Sequence, residues 1–309
     1  MFNIQKAVRE KIWCKVALIA PSGGGKTYGA LRMATGMRSK LAEMGEETKI
    51  LMANTEASRG LYYANEFDYD IVDVPSPHSP EKYVELIDYA VEQGYKILVL
   101  DSSSHEWEGK GGCLEIHSLA GGTYQAWGKV TPRHNSFLYA IADSPIHIIA
   151  TMHGKDQYEM ERGETGRTTV KKLGVGAKQR EGVEYEFTCS FLIDQASSMA
   201  RYQKDNTHLF EDRGDFQISE KDGISIIEWA NSGNAVYVAP VRHEKTEEEI
   251  ISEVNTESFN ICSRVGSKTE GLMDIVKSYN VNSPKKIKKL DDAKKLLEEL
   301  KTFEKELNK

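Results

Sequence analysis

At 309 residues the chain can hold one large domain or a domain with an appendage. A hydrophobic content of 39%, a charged content of 28% and a net charge of −7 fit a globular protein and exclude one that coats nucleic acid over its whole surface, though not one with a local basic groove. No apolar run approaches the ~18 residues of a membrane span, no apolar core follows Met1, and Cys14, Cys113, Cys189 and Cys262 lack metal-type spacing, so the expectation is a reduced, cytoplasmic chain with no membrane partner.

In chain order, residues 14–19 form a short apolar run that predicts a strand. It leads into Ala20-Pro21-Ser22-Gly23-Gly24-Gly25-Lys26-Thr27. Three consecutive glycines let backbone N–H groups curl around phosphates with no Cβ in the way. Ser22, Gly23, Gly24 and Gly25 are read as the cradle, Lys26 as the cation that reaches the β- and γ-phosphates, and Thr27 as a Mg²⁺ ligand. The usual pattern begins with Gly, and Ala20 stands there instead. From Thr27 to about Leu41 the apolar face of Ala30, Leu31, Ala34 and Met37 predicts a helix, whose N-terminal dipole adds to the anion site. The expected ligands are ATP and Mg²⁺.

Residues 49–53 and 71–74 read as strands. Ser79 as N-cap and Pro80 at the first helical position open a helix carrying Tyr83, Ile87, Ala90 and Val91, closed by Gly94. Residues 96–101 are a buried-strand pattern ending in Asp101. Helices are expected over 135–142 and 224–230, and strands over 146–151 and 185–194. This alternation predicts an α/β fold with a mainly parallel sheet flanked by helices. After Pro240 the composition changes: 244–249 is acidic, 285–289 is basic, and Leu290, Ala293, Leu296, Leu297, Leu300, Phe303 and Leu307 describe an amphipathic helix. The expected division is a core over 1–240 and a helical appendage over 241–309. That terminal helix reads as a partner- or DNA-binding tail, an oligomerisation helix, or a helix docked on the core.

Asp101, at a strand's carboxyl end, completes the Mg²⁺ site begun by Thr27. Glu56 ends the preceding strand pattern and is the preferred general base for orienting an attacking water, with Glu106 as the alternative.

The strand ending in Glu56-Ala57, followed by Leu61-Tyr62-Tyr63-Ala64 and a predicted helix, resembles the RecA family. Asp101-Ser102-Ser103-Ser104-His105-Glu106-Trp107, Gly111-Gly112-Cys113-Leu114-Glu115, the run from Tyr124 to Asn135, Thr151-Met152-His153-Gly154-Lys155 and the run from Lys178 to Phe187 resemble a phage-encoded group of small RecA-core ATPases. Some of that group are described as Sak-type single-strand annealing or recombination proteins. The resemblance covers roughly residues 12–232. It implies a RecA-like P-loop NTPase core that hydrolyses ATP, a catalytic Glu56, and a γ-phosphate sensor at His153 or Thr151. It also implies single-stranded DNA as partner, a homo-oligomer, and the cytoplasm of a bacterial host.

Residues 156–182 read as a long polar loop in which Arg167, Lys171, Lys172, Lys178 and Arg180 follow one another with no intervening acid. The resemblance implies that this loop contacts single-stranded DNA, or that Lys178 or Arg180 reaches a neighbour's ATP. Trp107, Tyr124 and Trp127 are candidates for base stacking, with plain packing as the alternative. A contrasting reading is an ATP-dependent switch that acts on a protein partner without DNA. A small-molecule kinase is disfavoured, because no acceptor motif or arginine-rich lid is evident.

Overall fold

The computed structural model describes residues 6–162, 168–233, 247–266 and 271–307; of residues 156–162, 168–174 and 249 it is the backbone that is described. The chain divides into two compact units, Met1–Ala239 and Pro240–Lys309.

In the first unit, apolar runs followed by glycine or polar breaks set the order of elements. These are β1 (Lys15–Ala20), α1 (Lys26–Glu43), β2 (Ile50–Asn54), β3 (Asp70–Asp73), α2 (Pro80–Glu92), β4 (Ile97–Asp101), α3 (Ser104–Glu108), α4 (Cys113–Leu119), α5 (Trp127–Asp143), β5 (His147–Arg162), β6 (Thr168–Ala177), β7 (Cys189–Ile193), β8 (Ala200–Asp205) and α6 (Glu220–Ala230). The sheet runs β3-β2-β4-β5-β1-β7-β8, with β6 paired to β5. All pairs are parallel except β7 with β8 and β5 with β6. It is a mostly parallel mixed sheet flanked by helices. β1, β2 and β4 are buried along their whole length, as their unbroken apolar runs require.

The register positions the site. Asn54 lies opposite Asp101 and Ala20 opposite His153. The carboxyl ends of β1, β2 and β4 and the middle of β5 therefore share one edge of the sheet. β5 separates β1 from β4, so the loop after β1 meets Asp101 across it. One face of the sheet is packed by Leu31, Met37, Ile226 and Ile227 of α1 and α6, the other by Tyr83, Ile87, Phe137 and Ile141 of α2 and α5. Each such side chain contributes about 1.5–3 kcal/mol on burial. α1 and α6 approach so closely that a Cβ on Gly36 would stand 1.9 Å from the Glu220 carbonyl oxygen, and one on Gly223 2.0 Å from that of Met33.

Several expectations need correction. The stretch expected as a long loop is largely a β-hairpin: β5 continues past the parallel sheet and pairs with β6 from Gly154↔Ala177 to Arg162↔Thr168. β-Branched Thr168, Thr169 and Val170 supply the strand preference that the surrounding charge concealed. α5 begins at Trp127 and carries Pro132 inside it. Burial of Val130, His134, Phe137 and Ile141 along one face outweighs the ~3 kcal/mol that an internal proline costs. Glu56 is followed by a single 3₁₀ turn, Ala57–Leu61, where a helix was expected. Part of the 185–194 strand reading is a second such turn, Val183–Glu186, which precedes β7. β8 was not anticipated.

The second unit contains α7 (Glu247–Val265), α8 (Leu272–Ser278) and α9 (Leu290–Leu307). Its core is Ile261, Leu272, Val276, Ile287, Ala293, Leu296 and Leu300. Among the described residues no helix is long and apolar enough to cross a membrane.

Candidate functional site

The three glycines of the loop between β1 and α1 are required for different reasons. Gly23 (φ 80°) and Gly25 (φ 81°) adopt left-handed backbone that side chains disfavour. Gly24 donates its N–H to the Pro21 carbonyl at 3.2 Å, and a Cβ there would fall 2.8 Å from the Ala20 methyl. The methyl at the atypical first position is thus accommodated because Gly24 carries none. Ser22 accepts a hydrogen bond at its carbonyl from Gln195 Nε2 at 2.7 Å.

Lys26 opens α1 with its ammonium folded onto the loop, donating to the Ala20 and Pro21 carbonyls, both at 3.0 Å. Burial lowers its pKa, while the charges of Asp101 and Glu56 raise it. Asp101 is 3% exposed. It accepts Thr27 Oγ1 at 2.7 Å on Oδ2 and Thr151 Oγ1 at 2.5 Å on Oδ1. Burial raises its pKa and the two hydroxyls oppose that. A hydroxyl and a carboxylate at this spacing form a hard oxygen set that suits Mg²⁺, and the glycine cradle beside a buried ammonium held only by loop carbonyls suits a polyphosphate.

β2 delivers Glu56 to the same edge. Thr55 N donates to the Asp101 carbonyl at 2.8 Å, and Glu56 N donates to Asn54 Oδ1 at 3.1 Å. Its carboxylate faces His153 Nε2 at 2.9 Å and accepts from Arg59 Nη1 at 3.1 Å. The bond to His153 holds Glu56 at about 2, against the opposing effect of burial. The other imidazole nitrogen, Nδ1, faces Glu108 Oε1 at 3.1 Å. Glu56, and after it Glu108, raise the His153 pKa. With a carboxylate at each nitrogen, both bonds form only with the imidazolium. Glu108 also pairs with Lys178 at 3.5 Å.

Lys26, Thr27, Asp101, Glu56 and His153 are therefore brought together. Glu106 is not with them: it is fully buried and bonded to His134, Cys113 and Gln179. Arg180 lies elsewhere, on a cleft of about 1150 Å³ that Trp107, Tyr124, Trp127 and Lys155 also line. There the Trp107 and Trp127 rings stack at 5.6 Å and 12°, and Tyr124 is 88% exposed. Lys171 and Lys172 are backbone positions on β6, and Arg167 lies outside the described residues. Sequence reasoning missed Arg59, Glu108 and Gln195. Arg59 follows Glu56 by three residues, a readable spacing, whereas nothing in the sequence singles out Gln195. Cavities of about 740 Å³ and 240 Å³ flank the glycine loop, the first lined by Pro21 and Gln195, the second by Gly24, Gly25 and Ser198.

Residues 13–208 match a family model described as AAA domain. A search of curated proteins gave no match.

Proposed function

The chain belongs to the AAA domain family, and from that premise we propose that it binds ATP with Mg²⁺, hydrolyses it, and does so in work on single-stranded DNA. The observation that carries the hydrolytic reading is the convergence of Lys26, the Thr27–Asp101 pair and the Glu56–His153 pair on one sheet edge. Lys26 would exchange the Ala20 and Pro21 carbonyls for phosphate oxygens, at little further desolvation cost because it is already buried. Thr27 and Asp101 would hold Mg²⁺, which supplies charge neutralisation to the phosphates. Glu56, kept ionised far below neutral pH, would orient water, and His153 fixes that carboxylate in place.

The aromatic cleft supports the DNA reading. Tyr124 offers the exposed ring on which a base could stack, at about 1–3 kcal/mol and without sequence preference, Trp127 being stacked between His117 and Trp107, and Lys155 and Arg180 on the same cleft suit the backbone. Assembly as a homo-oligomer, with Lys178 or Arg180 offered to a neighbour's nucleotide, belongs to the same reading.

The test is ATP hydrolysis with and without single-stranded DNA at low and moderate salt, with Lys26→Ala as blank. Lys26→Ala should lower nucleotide affinity by about two orders of magnitude or more, since it removes the buried cation that would pair with the phosphates. Turnover stimulated by DNA, weakening with salt and lost in the blank, is expected. Turnover indifferent to DNA, with no salt-sensitive binding, overturns the DNA reading in favour of an ATP-dependent switch with a protein partner.

A further inference from the structure

Beneath the aromatic cleft, three elements bring three ligand-type side chains to one point. Glu106 comes from α3, Cys113 from the start of α4 and His134 from the middle of α5. All three residues are fully buried, and their ligand atoms lie within 4.8 Å of one another. Glu106 Oε1 is 3.0 Å from Cys113 Sγ and 3.0 Å from His134 Nδ1. We propose that Glu106, Cys113 and His134 form a buried site for one zinc-class divalent cation, separate from the Thr27–Asp101 pair and independent of the DNA reading.

Charge makes the first argument. The hydrogen-bond partners of the buried Glu106 carboxyl group are the Cys113 thiol, the His134 imidazole and the Gln179 amide, two of which are themselves metal-ligand types. A divalent ion bound by one carboxylate, one thiolate and one neutral imidazole leaves the cluster with no net charge, and the Cys113 proton departs to solvent on binding. Ligand type makes the second. Thiolate and imidazole together select zinc-class ions over Mg²⁺ or Ca²⁺, and three protein ligands are the number used by sites with one open position.

The surroundings are built to hold the three in place. Gln179 Nε2 donates to the second carboxylate oxygen, Oε2, at 3.2 Å and to the Ser103 carbonyl at 2.9 Å, which orients Glu106 as partners outside the ligand shell orient metal-binding carboxylates. Gly112 brings α4 against α3: a Cβ there would stand 2.7 Å from the Glu106 and His105 carbonyl oxygens. His134 Nδ1 faces Glu106, while its Nε2 is buried with no hydrogen-bond partner, so the ring is held from that side by packing alone. The Trp107 ring meets His134 edge-on at 5.1 Å and stacks on Trp127. A cation here would therefore also fix the floor of the cleft. Read alone, the spacing of the four cysteines hid this site, because Cys113 contributes the only thiol.

The experiment uses the full-length protein purified without chelator. Elemental analysis should find about one zinc per chain, and replacement with Co²⁺ should give the near-ultraviolet absorption of a cobalt thiolate. Cys113→Ser should abolish that absorption. Cys189→Ser, at a buried thiol beside Asp205 and Thr207, and Asp101→Asn, in the Mg²⁺ candidate pair, should retain it. Protein without stoichiometric metal that takes up no Co²⁺, or an absorption that survives Cys113→Ser, overturns the proposal. Should Cys113→Ser reduce the folded fraction, wild-type protein decides: stripping with chelator and restoring with Zn²⁺ should lower and then raise Tm by several degrees, and an unchanged Tm overturns the site.

Discussion

Glu56 and Glu106 each follow a buried strand within a few residues, yet their surroundings are opposite. Glu56 lies two residues beyond β2 at the open edge of the sheet, where His153 and Arg59 face it from water-accessible positions. Glu106 sits inside α3 with no exposure, enclosed by Cys113, His134 and Gln179. A carboxylate held ionised at the edge of a phosphate-type loop is placed to act on a ligand. One enclosed by donors is placed to tie elements of the fold together. Position relative to a strand end does not separate these roles; the partners that the fold brings to each carboxylate do.

Removing each carboxylate sharpens the contrast. On the proposed reading, Glu56→Gln lowers kcat by about 10²–10⁴-fold and leaves nucleotide affinity within a few-fold, because the amide keeps the shape but lacks the charge and second acceptor oxygen that orient the water. Its Tm changes little. Glu106→Ala acts in the other direction: it strands three buried groups and should cost about 3 kcal/mol, a Tm fall of roughly 6–12 °C. Steady-state kinetics and thermal unfolding on both variants decide the matter. Normal turnover in Glu56→Gln, with turnover lost from a well-folded Glu106→Gln, would exchange the two roles.

The same contrast shows what was legible in the sequence. β1, the glycine loop and the strand ending in Asp101 announce themselves, because an unbroken apolar run followed by glycine or a carboxylate has few other structural meanings. α5 was half hidden, since Pro132 argues against a helix and only the buried face through Val130 and His134 argues for it. The β5–β6 hairpin was hidden because its ladder hydrogen bonds are made by the backbone, while Lys155, Asp156, Glu159, Glu161 and Arg162 along β5 give that stretch a loop-like polarity. Least legible were the partners that distinguish the two glutamates. His153 reaches Glu108 across 45 positions and Glu56 across 97, and Glu106 meets His134 across 28 and Gln179 across 73. No local periodicity encodes such separations.

The smallest expected effect is the most specific to the edge carboxylate. His153 has its pKa raised above the usual 6.5 chiefly by Glu56. Its stabilising contribution is therefore complete below 6.5 and is lost as the pH rises through the raised value. Glu56, lowered from 4.5 to about 2, contributes fully above 4.5 and loses that contribution as the pH falls through about 2. The pair is thus intact between these limits, with Glu108 holding the far side of the imidazolium and Arg59 the far side of Glu56. His153→Gln keeps a hydrogen-bond donor but no titrating charge. The Tm difference between wild type and this variant should correspond to about 1 kcal/mol near pH 6 and shrink steadily on the alkaline side. Glu106→Ala should show no matching alkaline trend, because none of its donors faces His153. A Tm difference for His153→Gln that stays constant from pH 6 upward would mean that the imidazole is neutral in the folded protein and donates to only one of its two carboxylates.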